Sequence, residues 1–126
     1  MLDTAKARMA SFLNTVYPTL EGQGRVLHPD DQTDVLTALR ADASAPVVIL
    51  HAPQLVAAGA LATFTGIVSV CALTENDALK HSNALLAALT IPSPVIPTTR
   101  LSPMATVLKE DEFWRVAVSF TLRIKA

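Results

Sequence analysis

Cysteine is all but absent. Cys71 stands alone in 126 residues, so no intrachain disulfide can form and nothing points to an oxidising compartment. Charge is also scarce. Charged residues make up 17% of the chain, and 10 Lys and Arg face 11 Asp and Glu for a net charge of −1. That gives no electrostatic argument for nucleic acid, which would call for a basic face, and none for an anionic membrane surface. One Trp, one Tyr and four Phe make no interleaved basic and aromatic platform for single-stranded nucleic acid. No G-x-S-x-G, P-loop or dinucleotide fingerprint occurs. The opening residues, Met1 to Lys6, lack a basic region followed by an apolar run, so no secretory signal is expected there. Internal repeats and low-complexity segments are missing too.

What the chain does have is apolar surface. Hydrophobic residues reach 51%, which excludes disorder. The length suits one domain around a single core. So apolar a chain of this size either spans a membrane or hides surface against partners.

Between Asp42 and Glu75 the only ionisable side chains are His51 and Cys71, and none is formally charged. Within that stretch Leu55 to Leu73 has the length of a transmembrane helix. From Ala62 onward, however, the residues alternate. Phe64, Gly66, Val68 and Val70 share one parity, while Thr63, Thr65 and Ser69 share the other. β-Branched and aromatic types suit a pleated surface, and no Lys or Arg flanks the segment closely to orient it. Strands with a turn between them are therefore expected, and a membrane-associated protein through residues 55–73 is an alternative.

Leu2 to Tyr17 predicts an amphipathic helix, with Leu2, Ala5, Met9, Phe12, Leu13 and Val16 on one face. Asp3 suits its first turn, and Pro18 ends it. Glu21 to Gly24 is a turn and Arg25 to His28 a short strand. A second short helix opens at Pro29-Asp30-Asp31, capped by Asp30 or Asp31 and buried through Val35, Leu36 and Leu39. Val47 to His51 is a buried strand closed by Pro53. Gln54 to Ala60 is expected to be a loop, and Leu61 to Leu73 a long strand. Thr74 can cap a helix that carries Ala78, Leu79, Ser82, Leu85, Leu86 and Leu89 on one face, with Asp77 near the capping-box position. Ile91 to Pro103 holds four prolines and predicts a stiff extended connector. Thr106 to Leu108 is a possible strand, and Lys109 to Glu112 a charged turn. In the final segment Trp114, Val116, Val118, Phe120, Leu122 and Ile124 alternate with Arg115, Ala117, Ser119, Thr121, Arg123 and Lys125. Such a pattern defines a strand with one buried and one polar face. The order predicts an α+β domain spanning residues 1–126, a mainly antiparallel sheet with helices packed on one face.

Chemistry-bearing residues are sparse. His28, His51 and His81 have no metal-binding spacing. His28, Asp30, Asp31 and Asp34 cluster, but they lack the glycine and distal glutamate of a calcium loop, and capping explains the carboxylates. Cys71 reads as a small buried hydrophobe; as a nucleophile it would need one of the histidines beside it. Glu110-Asp111-Glu112 reads as a solvated hairpin tip rather than a carboxylate pair. No catalytic residue, cofactor or metal is expected, and an enzyme is disfavoured.

The element order resembles a known family. Met1 to Tyr17 as first helix, PVVILHAP (46–53) as a strand and ATFTGIVSVCAL (62–73) as the long strand carry the likeness. ENDALKHSNALLAAL (75–89) as the following helix and EDEFWRVAVSFTLRIKA (110–126) as a charged turn and last strand complete it. In this pattern the chain looks like the tail terminator, or tail completion, proteins of long-tailed bacteriophages. The IPSPVIPTTRLSP connector (91–103) has no counterpart in it.

The resemblance implies a structural virion protein that assembles as a ring, usually a hexamer. Such a ring would close the tail tube and join it to the head–tail connector. The implied partners are further copies of the chain, the tail tube protein and the connector proteins. DNA would pass the lumen without specific binding, and no membrane would be involved. The implied location is the phage tail or neck, and the host cytoplasm during assembly. Exposure arguments nominate Gln54, Leu55, Val56, Pro94, Ile96, Arg100, Lys109, Glu110, Asp111 and Glu112 as the subunit or tube interface. A small oligomeric α+β ligand-binding or regulatory module unrelated to phage is a second alternative.

Overall fold

The computed structural model describes residues 2–28, 34–89 and 103–125. Its elements run α1 (Leu2–Val16), β1 (Val26–Leu27), α2 (Val35–Ala41), β2 (Val47–Leu50), β3 (Gln54–Ala57), β4 (Leu61–Ala72), α3 (Glu75–Leu89), β5 (Met104–Lys109) and β6 (Trp114–Lys125). The strands form one six-stranded sheet in the order β1-β2-β4-β6-β5, and β3 also pairs with β4. This is the expected α+β architecture, antiparallel except where β1 runs parallel to β2.

The centre of the sheet is the pair of 12-residue strands β4 and β6. They pair without interruption from Leu61 opposite Lys125 to Ala72 opposite Trp114. Strict alternation along both explains the unbroken ladder, since a one-residue slip would turn every apolar side chain outward. Phe64, Val68 and Val70 of β4 point the same way as Val116, Val118, Phe120, Leu122 and Ile124 of β6. With Ala5, Met9, Phe12 and Leu13 of α1 and Ala78, Leu85 and Leu89 of α3 they make the main core.

Gly66 lies opposite Phe120 in this ladder. A Cβ there would come within 2.9 Å of the Phe120 ring and 3.1 Å of the Met9 methyl. The missing side chain is what lets α1 and the Phe120 ring close over the strand.

The two long helices are locally well specified. Thr74 Oγ1 accepts the Asp77 backbone N–H at 3.2 Å, and Glu75 and Asp77 occupy the first turn of α3. Both arrangements satisfy or complement a helix N-terminus. The Tyr17 hydroxyl, just past α1, donates to the His81 carbonyl of α3 at 2.6 Å. Burial pushes its pKa up to about 12.

The short helix α2 lies on the opposite face of the sheet from α1 and α3. Its Val35 and Leu39 pack with Leu27, Val47, Ile49 and Cys71 in a second cluster, joined by Phe113. Val47 and Ile49 alternate with Val48 and Leu50, which belong to the main core. A parallel pair needs a crossover, and α2 is the crossover between β1 and β2. The helix starts at Val35 after Asp34, whose side chain makes no capping bond. The expected caps Asp30 and Asp31 lie outside the described residues.

Several expectations are corrected: Leu2 and Leu79, expected on the apolar faces of α1 and α3, are exposed, and Lys109 ends β5 rather than opening the charged turn. Gln54 to Ala60 is not a loop throughout, because Gln54–Ala57 forms β3. β2 ends opposite Val68, while β3 resumes opposite Thr65. The chain thus spends one more residue than β4 across His51 to Pro53, a bulge, and a second irregularity falls between Leu55 and Ala57. β2 and β3 form one interrupted strand along β4, and the hairpin turn is confined to Ala58, Gly59 and Ala60. Gly59 adopts φ +149° there, which L side chains rarely adopt. The stretch 55–73 is therefore a β-hairpin. No helix among the described residues is long and apolar enough to cross a membrane.

Candidate functional site

Two regions stand out from the packed core: a chain of polar side chains on the α2 face, and a set of exposed apolar residues along the sheet edges.

The polar chain runs from the residue after β2, across β4 and β6, to the turn before β6. His51 Nε2 lies 2.9 Å from Ser69 Oγ. Arg115 Nη1 donates to the same oxygen at 3.3 Å, and its Nε donates to Glu110 Oε1 at 3.0 Å. Alternation along β4 and β6 positions it, since Ser69 and Arg115 stand on the face opposite the main core. Guanidinium can only donate, so Ser69 Oγ is an acceptor toward Arg115. Burial, and then the Arg115 charge, lowers the His51 pKa. A neutral imidazole can therefore accept the Ser69 hydroxyl proton at Nε2.

A hydroxyl 2.9 Å from an imidazole is the spacing of a nucleophile and its base. Ser69 is fully buried, however, and no substrate atom can approach Oγ in this arrangement. The chain satisfies buried polar groups and ties the bulge after β2 to the turn before β6. Cys71 lies on the same face, buried, with its thiol pKa pushed up to about 12 by burial. A thiol so held is a packing residue rather than a nucleophile.

Arg25 is the other buried polar group of note. Its guanidinium donates to the backbone carbonyls of Ala45 at 2.8 Å, Ala38 at 2.7 Å and Asp42 at 2.7 Å. It clasps the C-terminal end of α2, where carbonyls are left over and a positive charge is favoured. Sequence inspection placed Arg25 only in a short strand. Its role depends on α2 folding back over β1, which no local pattern announces. Among the described residues no buried side-chain nitrogen or oxygen lacks a hydrogen-bond partner, and no three His, Cys, Asp or Glu side chains are grouped to hold a metal.

The nominated interface residues fall in two places. Gln54, Leu55 and Val56 are exposed on β3. Lys109 ends β5 with its ammonium 5.4 Å from the Trp114 ring centroid, a cation–π contact. Glu110 binds Arg115, Glu112 binds Arg40 of α2 at 3.2 Å, and Asp111 is exposed between them. Pro94, Ile96 and Arg100 lie outside the described residues. The sheet sets the two groups on opposite sides, with β4 and β6 between β3 and β5. Exposed Leu61 next to the hairpin and exposed Met104 and Val107 on β5 extend them. No family model, curated protein or solved structure matches the chain.

Proposed function

We propose that the chain is a structural subunit of a long-tailed bacteriophage virion, a tail terminator whose copies form a ring on the tail tube. The observation that supports this is the exposed, uncharged β3–β4 hairpin at one side of an α+β sheet. The hairpin carries apolar side chains that its own domain leaves in water, which is how an assembly surface differs from a finished monomer surface. In the family the chain resembles, the ring is usually a hexamer that meets the tube on one side and the head–tail connector on the other. Its lumen passes DNA, and a near-neutral subunit is compatible with passage without trapping.

Electron microscopy tests the reading. The purified protein, alone and mixed with tail tubes lacking a terminator, should show rings with a central opening, free or seated at tube ends. Monomers that form no ring in either setting would overturn it.

A further inference from the structure

The geometry points to strand pairing between two copies of this chain, β5 of one lying antiparallel beside β5 of the other about a two-fold axis at Thr106. This contact is separate from the subunit contacts of a ring and does not depend on that reading.

A sheet edge offers unpaired N–H and C=O groups, and chains that stay monomeric blunt it with charge, proline, a bulge or a very short strand. Two edges of this sheet are blunted in that way. β1 has two residues, and β3 has four with a register shift within them. β5 is not blunted. Its six residues pair with β6 without a shift and include no proline. Its one charge, Lys109, closes the strand and lies over the Trp114 ring, 5.4 Å from the centroid. Among the described residues no strand covers the outer side of β5, and Met104 to Val107 are exposed, Met104 at 70%. The hairpin register fixes which main-chain groups point out. The Glu110 N–H donates to the Phe113 carbonyl at 2.9 Å, so this pair closes the β5–β6 hairpin as a hydrogen-bonded one. Alternation from it turns the main-chain groups of Leu108, Thr106 and Met104 toward β6, and those of Lys109, Val107 and Ala105 outward. Pro103 takes the next outward position, where lacking an N–H costs the β6 ladder nothing.

The sequence of the edge selects the occupant. A two-fold axis normal to the sheet keeps every side chain on its own face, so residues of like parity must oppose each other. About Thr106, Ala105 exchanges both main-chain bonds with the second copy's Val107, and Met104 meets Leu108. The two Thr106 side chains face each other in a pair without main-chain bonds, where side chains approach closest. Every apolar side chain is then opposed by an apolar one. Each Lys109 falls opposite Pro103 at the far end of the pairing, so no like charges meet. Centring on Val107 instead would set Met104 against Glu110. A foreign strand would have to bring this alternation from outside, whereas a second copy already carries it. So short a pairing buries less than the roughly 1,200 Å² of a stable interface, so the dimer forms and parts with concentration.

The test uses the full chain under mild oxidation, in which buried Cys71 takes no part. Thr106→Cys should convert to disulfide-linked dimers on a denaturing gel, because position 106 meets itself. Met104→Cys should stay unlinked, since it lies opposite Leu108, and Met104→Cys combined with Leu108→Cys should link again. By sedimentation, Thr106→Lys and Thr106→Glu should each self-associate about fivefold more weakly than the unaltered chain, because like charges then stand directly opposite. An equal mixture of the two should recover the dimer, with circular dichroism showing each variant folded. Equal cross-linking of Thr106→Cys and Met104→Cys, or a mixture no more associated than its components, would overturn the pairing. So would an unaltered chain that stays monomeric at every concentration, which would leave the β5 edge to a foreign strand. None of these outcomes bears on the ring reading, which microscopy decides on its own.

Discussion

The two faces of the sheet solve the burial problem differently. On the α1 and α3 face every described inward position of β4 and β6 is apolar or glycine, and the contacts run the full length of both strands. On the other face α2 covers only the β1–β2 end. Beyond it stand Thr63, Thr65 and Ile67 of β4 with Ala117, Ser119 and Thr121 of β6, all half-buried. Between these zones lies the chain from His51 to Glu110. The first face holds the fold by excluded water and close packing. The second holds it by directed bonds at few points, and leaves small hydroxyl-bearing residues where a longer apolar row would demand cover.

Substitution should separate the faces most sharply at Phe64. Phe64→Ala removes a fully buried ring and should cost about 3–5 kcal/mol. Thr65→Ala, one residue along and on the other face, should stay within about 0.5 kcal/mol. Urea unfolding of both variants measures the contrast, and equal losses would erase it. Arg25→Met keeps much of the volume but removes the side-chain donor to the carbonyls of Ala38 and Asp42 at the end of α2 and of Ala45 in the turn beyond it. A loss of about 2–3 kcal/mol is expected, with exchange of the α2 amides accelerated ahead of those in β4. Gly66→Ala forces a methyl against Phe120 and Met9. The expected cost is about 1–2 kcal/mol, and Gly66→Ala with Phe120→Leu should recover part of it.

Acid should act through the polar face. Because the folded state lowers the His51 pKa, the unfolded chain binds more protons at that position once pH falls toward 6.5. Stability from His51 is therefore full above the unfolded pKa and is lost as pH drops through the folded one. Thermal melts of the protein and of His51→Gln should converge as pH goes from 7.5 to 5. Parallel curves would remove His51 from the account. The smallest effect should come from the exposed Arg40–Glu112 pair, where Arg40→Ala should change stability by less than about 0.5 kcal/mol.

The elements that repeat a pattern were legible in the sequence. β6 announced itself by alternation, α3 by its Thr74 cap and leucine spacing, and α1 by its apolar stripe and the proline behind it. β3 was not, because four residues flanked by a proline and a Gly-bearing turn carry no alternation long enough to recognise. Its strand character comes from the unpaired edge of β4 that it completes. The polar chain was equally hidden. Ser69 and Arg115 each sat on the correct parity, yet their meeting depends on the register of β4 against β6, and with His51 on the bulge after β2. Of the nominated interface, the hairpin and the turn before β6 were legible as exposed. Leu61, Met104 and Val107 were missed because a strand pattern gives no sign of which strands end at an edge.

The order of the strands sets a constraint on synthesis. β6 is made after every other described element, yet it belongs in the middle of the sheet, between β4 and β5. Until residues 114–125 have left the ribosome, β4 presents a 12-residue edge, apolar on one face, with no strand on that side. Pairing there joins residues as far apart in the chain as Leu61 and Lys125, and such distant closures form late. The nascent chain therefore carries an open, uncharged strand in a crowded cell, the condition under which chaperone capture competes with misassembly.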